Sequence, residues 1–228
     1  MSEIIRHVDQ GLACCDPEWE AAYRRFETPA EEIQKFLSRF RWFRFQSLPR
    51  NSSVAEIFCG RGNGLVALSK LGFHNIQGFD LSEELLRQYR GPAQLHLADC
   101  RQMPMPDRTF DAVVVQGGLH HLPTLPSDLT SVCEEVRRVL KPEGRLYVVE
   151  PWMTPFLYAV NRIVSVPLVR RCWGKADALA EMNYRERVTF DRWLAMPDAI
   201  LEILEASFET DRKSVAWGKL KWIGRPRT

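Results

Sequence analysis

The chain has 228 residues, of which 45% are hydrophobic and 26% are charged, and its formal net charge is +2 at pH 7. These values are ordinary for a globular chain that buries one core, and the near balance of charge gives no reason to expect a nucleic-acid partner. The longest apolar stretch, residues 146–169, contains Glu150, Arg162 and three prolines. A membrane-spanning helix needs about 20 mostly apolar residues, so this stretch is excluded as a span.

The cysteines show no Cys-x-x-Cys spacing and stand at Cys14, Cys15, Cys59, Cys100, Cys133 and Cys172. This pattern favours free thiols in a reducing cytoplasm over disulfides. The start lacks a basic segment followed by an apolar run, so we expect a cytoplasmic protein without a signal peptide. No group of His, Cys or carboxylate residues has a metal-ligand spacing, and the sequence therefore predicts no metal site.

Residues 1–50 are predicted to be helical. Large apolar residues recur there at helical spacing, at Trp19, Tyr23, Phe26, Ile33, Phe36, Leu37, Phe40 and Phe43. Residues 39–45 alternate arginines with aromatic residues, a pattern that nucleic-acid or membrane surfaces can use. Burial of the phenylalanines with solvated arginines explains the same spacing without a partner, and we favour that interpretation.

A glycine-rich turn follows a short apolar run. Residues 54–58 lead into Gly60, Gly62 and Gly64, and a helical run follows at once. A strand, a glycine turn and a helix in this order let backbone lie against a nucleotide-like ligand. The third glycine comes one residue early for a dinucleotide fingerprint, and Glu56 places a carboxylate on the strand. A carboxylate suits the cationic S-adenosylmethionine better than the pyrophosphate of NAD, although an NAD-linked reductase stays open as an alternative.

The next two predicted strands end in acids. Residues 76–80 end in Asp80, twenty residues after the first glycine, where a carboxylate can accept hydrogen bonds from ribose hydroxyls. Leu81 is expected to pack against an adenine face. Residues 95–100 carry Asp99, which can accept a hydrogen bond from the adenine amine.

Candidate catalytic residues follow the fourth and fifth strands. Residues 110–116 form a β-branched strand that ends at Gln116, expected near the methionine end of the donor or the acceptor. His120 and His121 follow in a turn, and Glu150 ends the fifth predicted strand, residues 145–150. Each of these three is a candidate general base if the acceptor keeps its proton. A structural hydrogen bond or ion pair is the alternative role for each.

The ordered motifs resemble class I S-adenosylmethionine-dependent methyltransferases, and are most similar to the type 11 branch of that family. The resemblance covers roughly residues 52–150 and rests on residues 56–64, 80–82, 99–100, 110–111, 119–122 and 140–145. The sequence departs from the family pattern at two places: the pair Phe58-Cys59 stands where small residues are usual before the first glycine, and Gln116 stands where smaller polar residues are common. The resemblance implies S-adenosylmethionine as the cofactor, bound by Glu56, Cys59, Gly60, Gly62, Gly64, Asp80, Leu81, Asp99, Cys100 and Gln116, with Tyr23 closing over it from the leading helix.

The resemblance also implies an α/β fold, a Rossmann-like, doubly wound, seven-stranded and mostly parallel sheet. Its antiparallel C-terminal hairpin is predicted at residues 213–216 and 219–223, around Trp217 and Gly218. A broken helical cover is predicted after the fifth strand, and another helix at about residues 190–206. The predicted parts are an N-terminal helical lid (1–50), the cofactor-binding core (51–150) and a segment with the substrate cover, last helix and hairpin (151–228).

We predict from these observations an enzyme that transfers a methyl group from S-adenosylmethionine to a small or medium-sized molecule by direct displacement. Positioning of the two reactants can supply roughly 7–11 kcal/mol of the barrier. Two alternatives stay open, a cofactor-binding protein without methyl transfer that serves as a scaffold or complex subunit, and an RNA or protein methyltransferase. Apolar residues of the cover either line an acceptor pocket or pack onto the core.

Overall fold

The computed structural model describes residues 3–9 and 16–227, so the predicted free thiols of Cys14 and Cys15 lie outside the described residues. The strands are β1 (Ile4–Arg6), β2 (Val54–Ile57), β3 (Ile76–Asp80), β4 (Gln94–Leu97), β5 (Phe110–Gln116), β6 (Leu140–Pro151), β7 (Phe208–Ala216) and β8 (Lys219–Pro226). The α-helices are α1 (Pro17–Phe26), α2 (Pro29–Trp42), α3 (Asn63–Lys70), α4 (Glu83–Leu86), α5 (Ser127–Val139), α6 (Pro155–Val164), α7 (Pro167–Cys172), α8 (Gly174–Arg185), α9 (Arg187–Leu194) and α10 (Pro197–Ser207).

The strands form one sheet in the order β1-β4-β3-β2-β5-β6-β8-β7. Neighbours from β1 to β6 run parallel, and β8 and β7 complete the sheet as an antiparallel hairpin. The predicted doubly wound sheet and its terminal hairpin are therefore confirmed. The direction of winding reverses between β2 and β5, and ligands of such sheets bind where the carboxyl ends of strands flank this reversal.

The sheet contains one strand more than predicted. Residues Ile4–Arg6 pair in parallel with Leu95–Leu97 of β4, so part of the segment that we expected to be helical extends the sheet edge. Three residues are too few to show the alternation that identifies a strand. The predicted helical spacing is confirmed at α1 and α2, and α2 begins with a capping box between Thr28 and Glu31 that satisfies its first N–H groups.

The sheet is buried on both faces. Along β5, Val113 and Val115 pack in one apolar cluster with α5 and α10, whereas Ala112 and Val114 pack in another with α2 and α3. Successive side chains of a strand point to opposite faces, which explains the continuous apolar run of β5. In the second cluster the α2 residues Phe36 and Phe40 and the following Phe43 are all buried, which confirms packing as the reason for the aromatic spacing.

Two predicted boundaries were wrong. The helix expected at residues 190–206 is divided into α9 and α10, because Pro197 cannot continue the first helix and instead opens the second. β6 begins at Leu140 rather than Arg145, since Leu140 pairs with Phe110 ahead of a register shift.

Helices from both ends of the chain lie together over the sheet. α1 packs against α8, and α8 in turn contacts α6, α7 and α9. The broken helical cover predicted after the fifth strand is thus present as α6 to α8. Among residues 3–9 and 16–227, no helix combines the length and the apolar character needed to cross a bilayer.

Candidate active site

The glycine turn after β2 is held in a left-handed conformation at alternate residues. The φ angles are +55° at Phe58, +51° at Gly60 and +78° at Gly62. A Cβ at Gly62 would overlap the ring of Tyr89, and a Cβ at Gly64 would overlap the carboxylate of Glu56. Glycine is therefore required at Gly62 by conformation and packing, and at Gly64 by packing alone.

Glu56 places a carboxylate under this turn, and only one of its two oxygens accepts a hydrogen bond from the described part of the chain. The residue is buried, and its Oε1 accepts a hydrogen bond from Gln116 Nε2 at 3.3 Å. Its Oε2 is buried and has no hydrogen-bond partner among the described residues. Burial raises the pKa of Glu56 to about 8. Because buried polar atoms are nearly always paired, this orphaned oxygen fits a cationic ligand beside the turn, such as the ammonium group of S-adenosylmethionine.

Asp80 connects the end of β3 to the same turn. Its two carboxylate oxygens accept hydrogen bonds from the backbone N–H groups of Gly60 at 2.7 Å and Ser82 at 2.8 Å. Burial raises the pKa of Asp80, and these two hydrogen bonds oppose the rise. Each carboxylate oxygen has a second lone pair, so Asp80 retains the capacity to accept hydrogen bonds from ligand hydroxyls.

The other predicted cofactor residues have different surroundings. Both oxygens of Asp99 accept hydrogen bonds from Arg101, whose guanidinium also donates to Asp128 at 2.8 Å. The thiols of Cys59 and Cys100 are buried, and burial raises the pKa of each. Leu81 is half-buried directly after Asp80. Contact of these four residues with the cofactor stays a prediction.

Glu150 and His120 form a buried pair at the ends of β6 and β5. Glu150 is fully buried, its Oε1 accepts hydrogen bonds from the N–H groups of Gly118 and Leu119 at 2.8 Å each, and its Oε2 lies 2.7 Å from His120 Nδ1. Burial alone would raise the pKa of Glu150, but the hydrogen bond and charge of His120 and the two backbone donors lower it. The pair is therefore an ion pair near neutral pH.

The second nitrogen of His120 faces another acid. Glu186 Oε2 lies 3.9 Å from His120 Nε2 and accepts a hydrogen bond from Trp19 Nε1 at 3.0 Å. Burial would lower the pKa of His120, but the hydrogen bond and charge of Glu150, with the contribution of Glu186, raise it to about 9. His120 is thus an imidazolium at pH 7, a hydrogen-bond donor rather than a base.

His121 lies beside this pair without joining it. Its ring is 4.1 Å from that of His120 and meets Trp19 edge-on at 6.0 Å. The side chain reaches the surface, yet the packing around it and the neighbouring His120 charge lower its pKa to about 4. His121 is therefore neutral at pH 7.

The helices α1 and α2 cover the glycine turn. Tyr23 of α1 donates a hydrogen bond to Glu32 of α2, and Glu32 accepts another from Asn63 Nδ2 at 2.6 Å. Arg61 of the turn lies 5.0 Å above the Tyr23 ring and pairs with Glu20 at 3.1 Å. Tyr23 is thus brought to the turn, as expected of a residue that covers the site.

The sequence analysis missed several residues that surround the glycine turn, Gln116 and His120. Besides the acids Glu20 and Glu32, they include Asn63, Arg61, Glu186 and Arg39, which donates to Gln116 Oε1 at 3.4 Å. One signal was available, because Glu32 precedes Phe36 and Phe40 by one and two helical turns and therefore places an acid on the apolar face of α2. Glu186 had no such signal, since only the folded chain brings it to His120.

The departure at Phe58 is matched by a glycine on the neighbouring strand end. Phe58 has a left-handed backbone, and a Cβ at Gly118 would overlap its side chain. We expect Gly118→Ala to destabilise the protein by about 1–3 kcal/mol, because overpacking forces the backbone or the ring to move. In the Phe58→Gly background the same substitution should cost much less. Urea unfolding of the four proteins in this double-mutant cycle measures the difference, and equal effects in both backgrounds would contradict the proposed contact.

The ion pair of His120 and Glu150 gives a pH dependence of defined sign. The folded pKa of His120 is about 9, above its ordinary value of 6.5, so its stabilisation is complete below pH 6.5 and is lost as pH rises through 9. We expect the free energy of unfolding to fall by about 3 kcal/mol more in the wild type than in His120→Gln over this range. Using this variant as the reference cancels the titration of Glu56, and parallel pH profiles would refute the expectation.

The fold and the site together define a doubly wound α/β protein with a site for a cationic, nucleoside-like ligand at its topological switch point. Residues 55–148 match a sequence family described as a methyltransferase domain. On this match and this geometry, residues 55–148 form a methyltransferase domain, and S-adenosylmethionine is its cofactor.

The names of relatives agree with this assignment. A demethylmenaquinone methyltransferase of Bacillus licheniformis is 25% identical over 175 residues, which are 69% of this chain and 73% of the relative. A protein of the same name from Staphylococcus haemolyticus is 29% identical over 153 residues, 61% of this chain and 62% of the relative. The chain therefore spans less than two thirds of the second relative.

Two solved structures show the same fold at low sequence identity. The PH0226 protein of Pyrococcus horikoshii has a TM-score of 0.68 at 16% identity, covering 92% of this chain and 99% of its own. A SAM-dependent methyltransferase of Aquifex aeolicus has a TM-score of 0.59 at 15% identity, covering 93% of this chain and 100% of its own. At these identities the likeness concerns the fold alone.

Proposed function

We propose that the enzyme methylates a small or medium-sized molecule whose nucleophilic atom binds beside His120. The observation that carries this proposal is the buried ion pair of His120 and Glu150. His120 lies shortly after Gln116, the last residue of β5, which donates a hydrogen bond to Glu56. A Cβ at Gly117 would lie 3.9 Å from His120 Cε1. The His120 ring therefore lies beside the residue that follows Gln116, the hydrogen-bond partner of the Glu56 carboxylate. This arrangement supports the binding of donor and acceptor side by side.

The residues of this chain have separate tasks in the proposed reaction. Bound S-adenosylmethionine would supply a sulfonium methyl group that a nucleophile can attack directly, with the neutral thioether S-adenosylhomocysteine as the leaving group. Glu56 and Asp80 bind the cofactor, and Gln116 orients the Glu56 carboxylate. His120 holds a proton on Nε2, so it favours an acceptor oxygen in its anionic, more nucleophilic form. Glu150 fixes the His120 ring, and α1 and α2, which cover the glycine turn, limit the access of water.

This assignment changes the role we give to the candidate bases. Because His120 is an imidazolium near pH 7, it acts by hydrogen bonding and charge toward an acidic acceptor, and serves as a base only at alkaline pH. His121, with a pKa of about 4, is a weak base. Glu150 is turned into the protein by three hydrogen bonds and orients His120 instead of touching the acceptor.

The names of the relatives make demethylmenaquinone the first acceptor to test. The purified chain is incubated with methyl-labelled S-adenosylmethionine and with reduced demethylmenaquinone, and in parallel with a metabolite extract, followed by mass spectrometry. We expect label in a small molecule, and a loss of about 10²-fold or more in rate for His120→Gln, as for removal of a catalytic hydrogen-bond donor. Arg137→Gln, an exposed change on α5, is the matched control and should react normally.

The alternatives give different results in the same assay. Cofactor binding without label in any acceptor would contradict the proposal and favour a scaffold. Label in RNA or protein would also contradict it, and would direct attention to the exposed Arg41 and Arg44. We retain the cytoplasm as the predicted compartment, supported by the free thiols of the four described cysteines.

A further inference from the structure

The segment after β6 exposes apolar side chains along its whole length. Residues 152–173, which we name the cover segment, comprise α6 and α7 with their flanking residues. Val164 is the buried residue of α6, and α7 has none. Leu168 is 69% exposed and Trp173 is 56% exposed. The other exposed apolar residues of the cover segment are Met153, Phe156, Tyr158, Ile163 and Val166.

The turn of the C-terminal hairpin adds to this surface. Trp217 is 76% exposed, and its ring meets that of Phe156 edge-on at 5.2 Å. Large exposed apolar patches mark interaction sites. The cover segment and Trp217 therefore form one surface that the described chain leaves uncovered.

All charged residues of the cover segment are basic. The cover segment contains three arginines and no acidic residue. Arg162 and Arg171 are exposed and form no ion pair with any described residue, while Arg170 pairs with Asp177 at 2.9 Å. Exposed aromatic and aliphatic side chains beside unpaired arginines are the composition of helices that lie in a membrane interface.

The surface borders the mouth of the site. α6 starts at Pro155, five residues after Glu150, and Thr154 Oγ1 both caps α6 and accepts a hydrogen bond from Gly218 N at 3.1 Å. Trp152 N donates to Gly218 O at 2.9 Å. These bonds fix the cover segment at the carboxyl edge of the sheet, where the cofactor and acceptor meet.

We propose that the cover segment and Trp217 dock the protein onto the surface of a bilayer that contains anionic lipids. α6 has only ten residues, so it lies in the interface and does not cross it. The arginines meet the negative lipid headgroups, and the aromatic and aliphatic side chains enter the boundary of the acyl chains. A lipid-soluble acceptor would reach His120 from the bilayer without crossing water, and this part of the inference rests on the proposed function.

Sedimentation with vesicles tests the docking without any need for methyl transfer. The full chain is spun with vesicles of phosphatidylcholine alone and of phosphatidylcholine mixed with phosphatidylglycerol. We expect binding to the mixed vesicles, weakened by salt. Arg162→Glu/Arg171→Glu should bind about thirtyfold or more weakly, because each basic residue contributes to attraction at an anionic surface. Ile163→Ser/Leu168→Ser should also bind more weakly, through lost apolar insertion.

A charge-matched variant provides the control. Lys70→Glu/Arg137→Glu makes the same change in net charge at the C-terminal ends of α3 and α5, on the opposite edge of the sheet, and should bind like the wild type. Failure of the wild type to sediment, or equal loss in both charge variants, would overturn the docking surface. So would a stable dimer that buries this surface and is broken by Ile163→Ser/Leu168→Ser. Vesicle binding without methyl transfer to any small molecule would leave docking intact and refute only the proposed function.

Discussion

Replacement of Glu150 by alanine is expected to destabilise the protein by about 3–5 kcal/mol, since removal of one partner of a buried ion pair leaves the other charge without compensation. The loss is large because three donors depend on this carboxylate, His120 Nδ1 and the N–H groups of Gly118 and Leu119. None of these donors can turn to water without opening the ends of β5 and β6. Equilibrium unfolding in urea measures the change.

Two variants separate charge from hydrogen bonding at this position. Glu150→Gln keeps one acceptor oxygen for the backbone donors but removes the charge. Its free energy of unfolding should therefore lie between that of the wild type and that of Glu150→Ala. In a His120→Gln background, Glu150→Gln should cost less than in the wild type, because no imidazolium remains to be compensated. A loss below about 1 kcal/mol for Glu150→Ala would show that water or another residue satisfies these donors.

Asp80→Ala is expected to weaken the binding of S-adenosylmethionine by about hundredfold or more, since it removes several charge-assisted hydrogen bonds at once. The carboxylate holds the N–H groups of Gly60 and Ser82, and so fixes the glycine turn against β3. It is also the acid placed to accept hydrogen bonds from the ribose. Loss of both functions combines a disordered turn with missing ligand contacts.

The matched control for this substitution is Asp111→Ala. Asp111 also accepts a hydrogen bond from a backbone N–H group, that of Ser53 at 2.8 Å, and pairs with Lys141, but it stands at the amino end of β5 away from the turn. Its variant should bind the cofactor normally. Calorimetric titration measures both affinities, and circular dichroism checks that both variants are folded. Unchanged affinity in Asp80→Ala would remove Asp80 from the site.

The parts of the site that the sequence predicted are those encoded locally. Apolar runs in neighbouring residues identify the strands that end at Glu56, the glycines and Asp80. Parallel strands bring their carboxyl ends to one edge of the sheet, so these residues were expected to lie close together. Gln116 was expected near the donor for the same reason, and the structure connects it to Glu56. The resemblance of the ordered motifs to a known family then identified the expected cofactor.

What could not be predicted depends on contacts between distant segments. Glu186 meets His120 only because α8 and α9 return over the sheet, and this contact contributes to keeping His120 charged. The charge of His120 is the reason why we propose a donor role for it in place of the base role that its position had suggested. The strand β1 was missed because its three residues carry too little pattern, and pairing with β4 decides their conformation.

The most direct test of a cationic donor held by carboxylates is calorimetric titration with S-adenosylmethionine at pH 7 in buffers of different ionisation enthalpy. Free Glu56, with a pKa of about 8, is largely protonated at this pH, and a cation beside it should drive its ionisation. We expect tight binding coupled to the release of about one proton in the wild type, and binding without that release in Glu56→Gln. Absence of binding, or equal proton release by both proteins, would contradict this assignment.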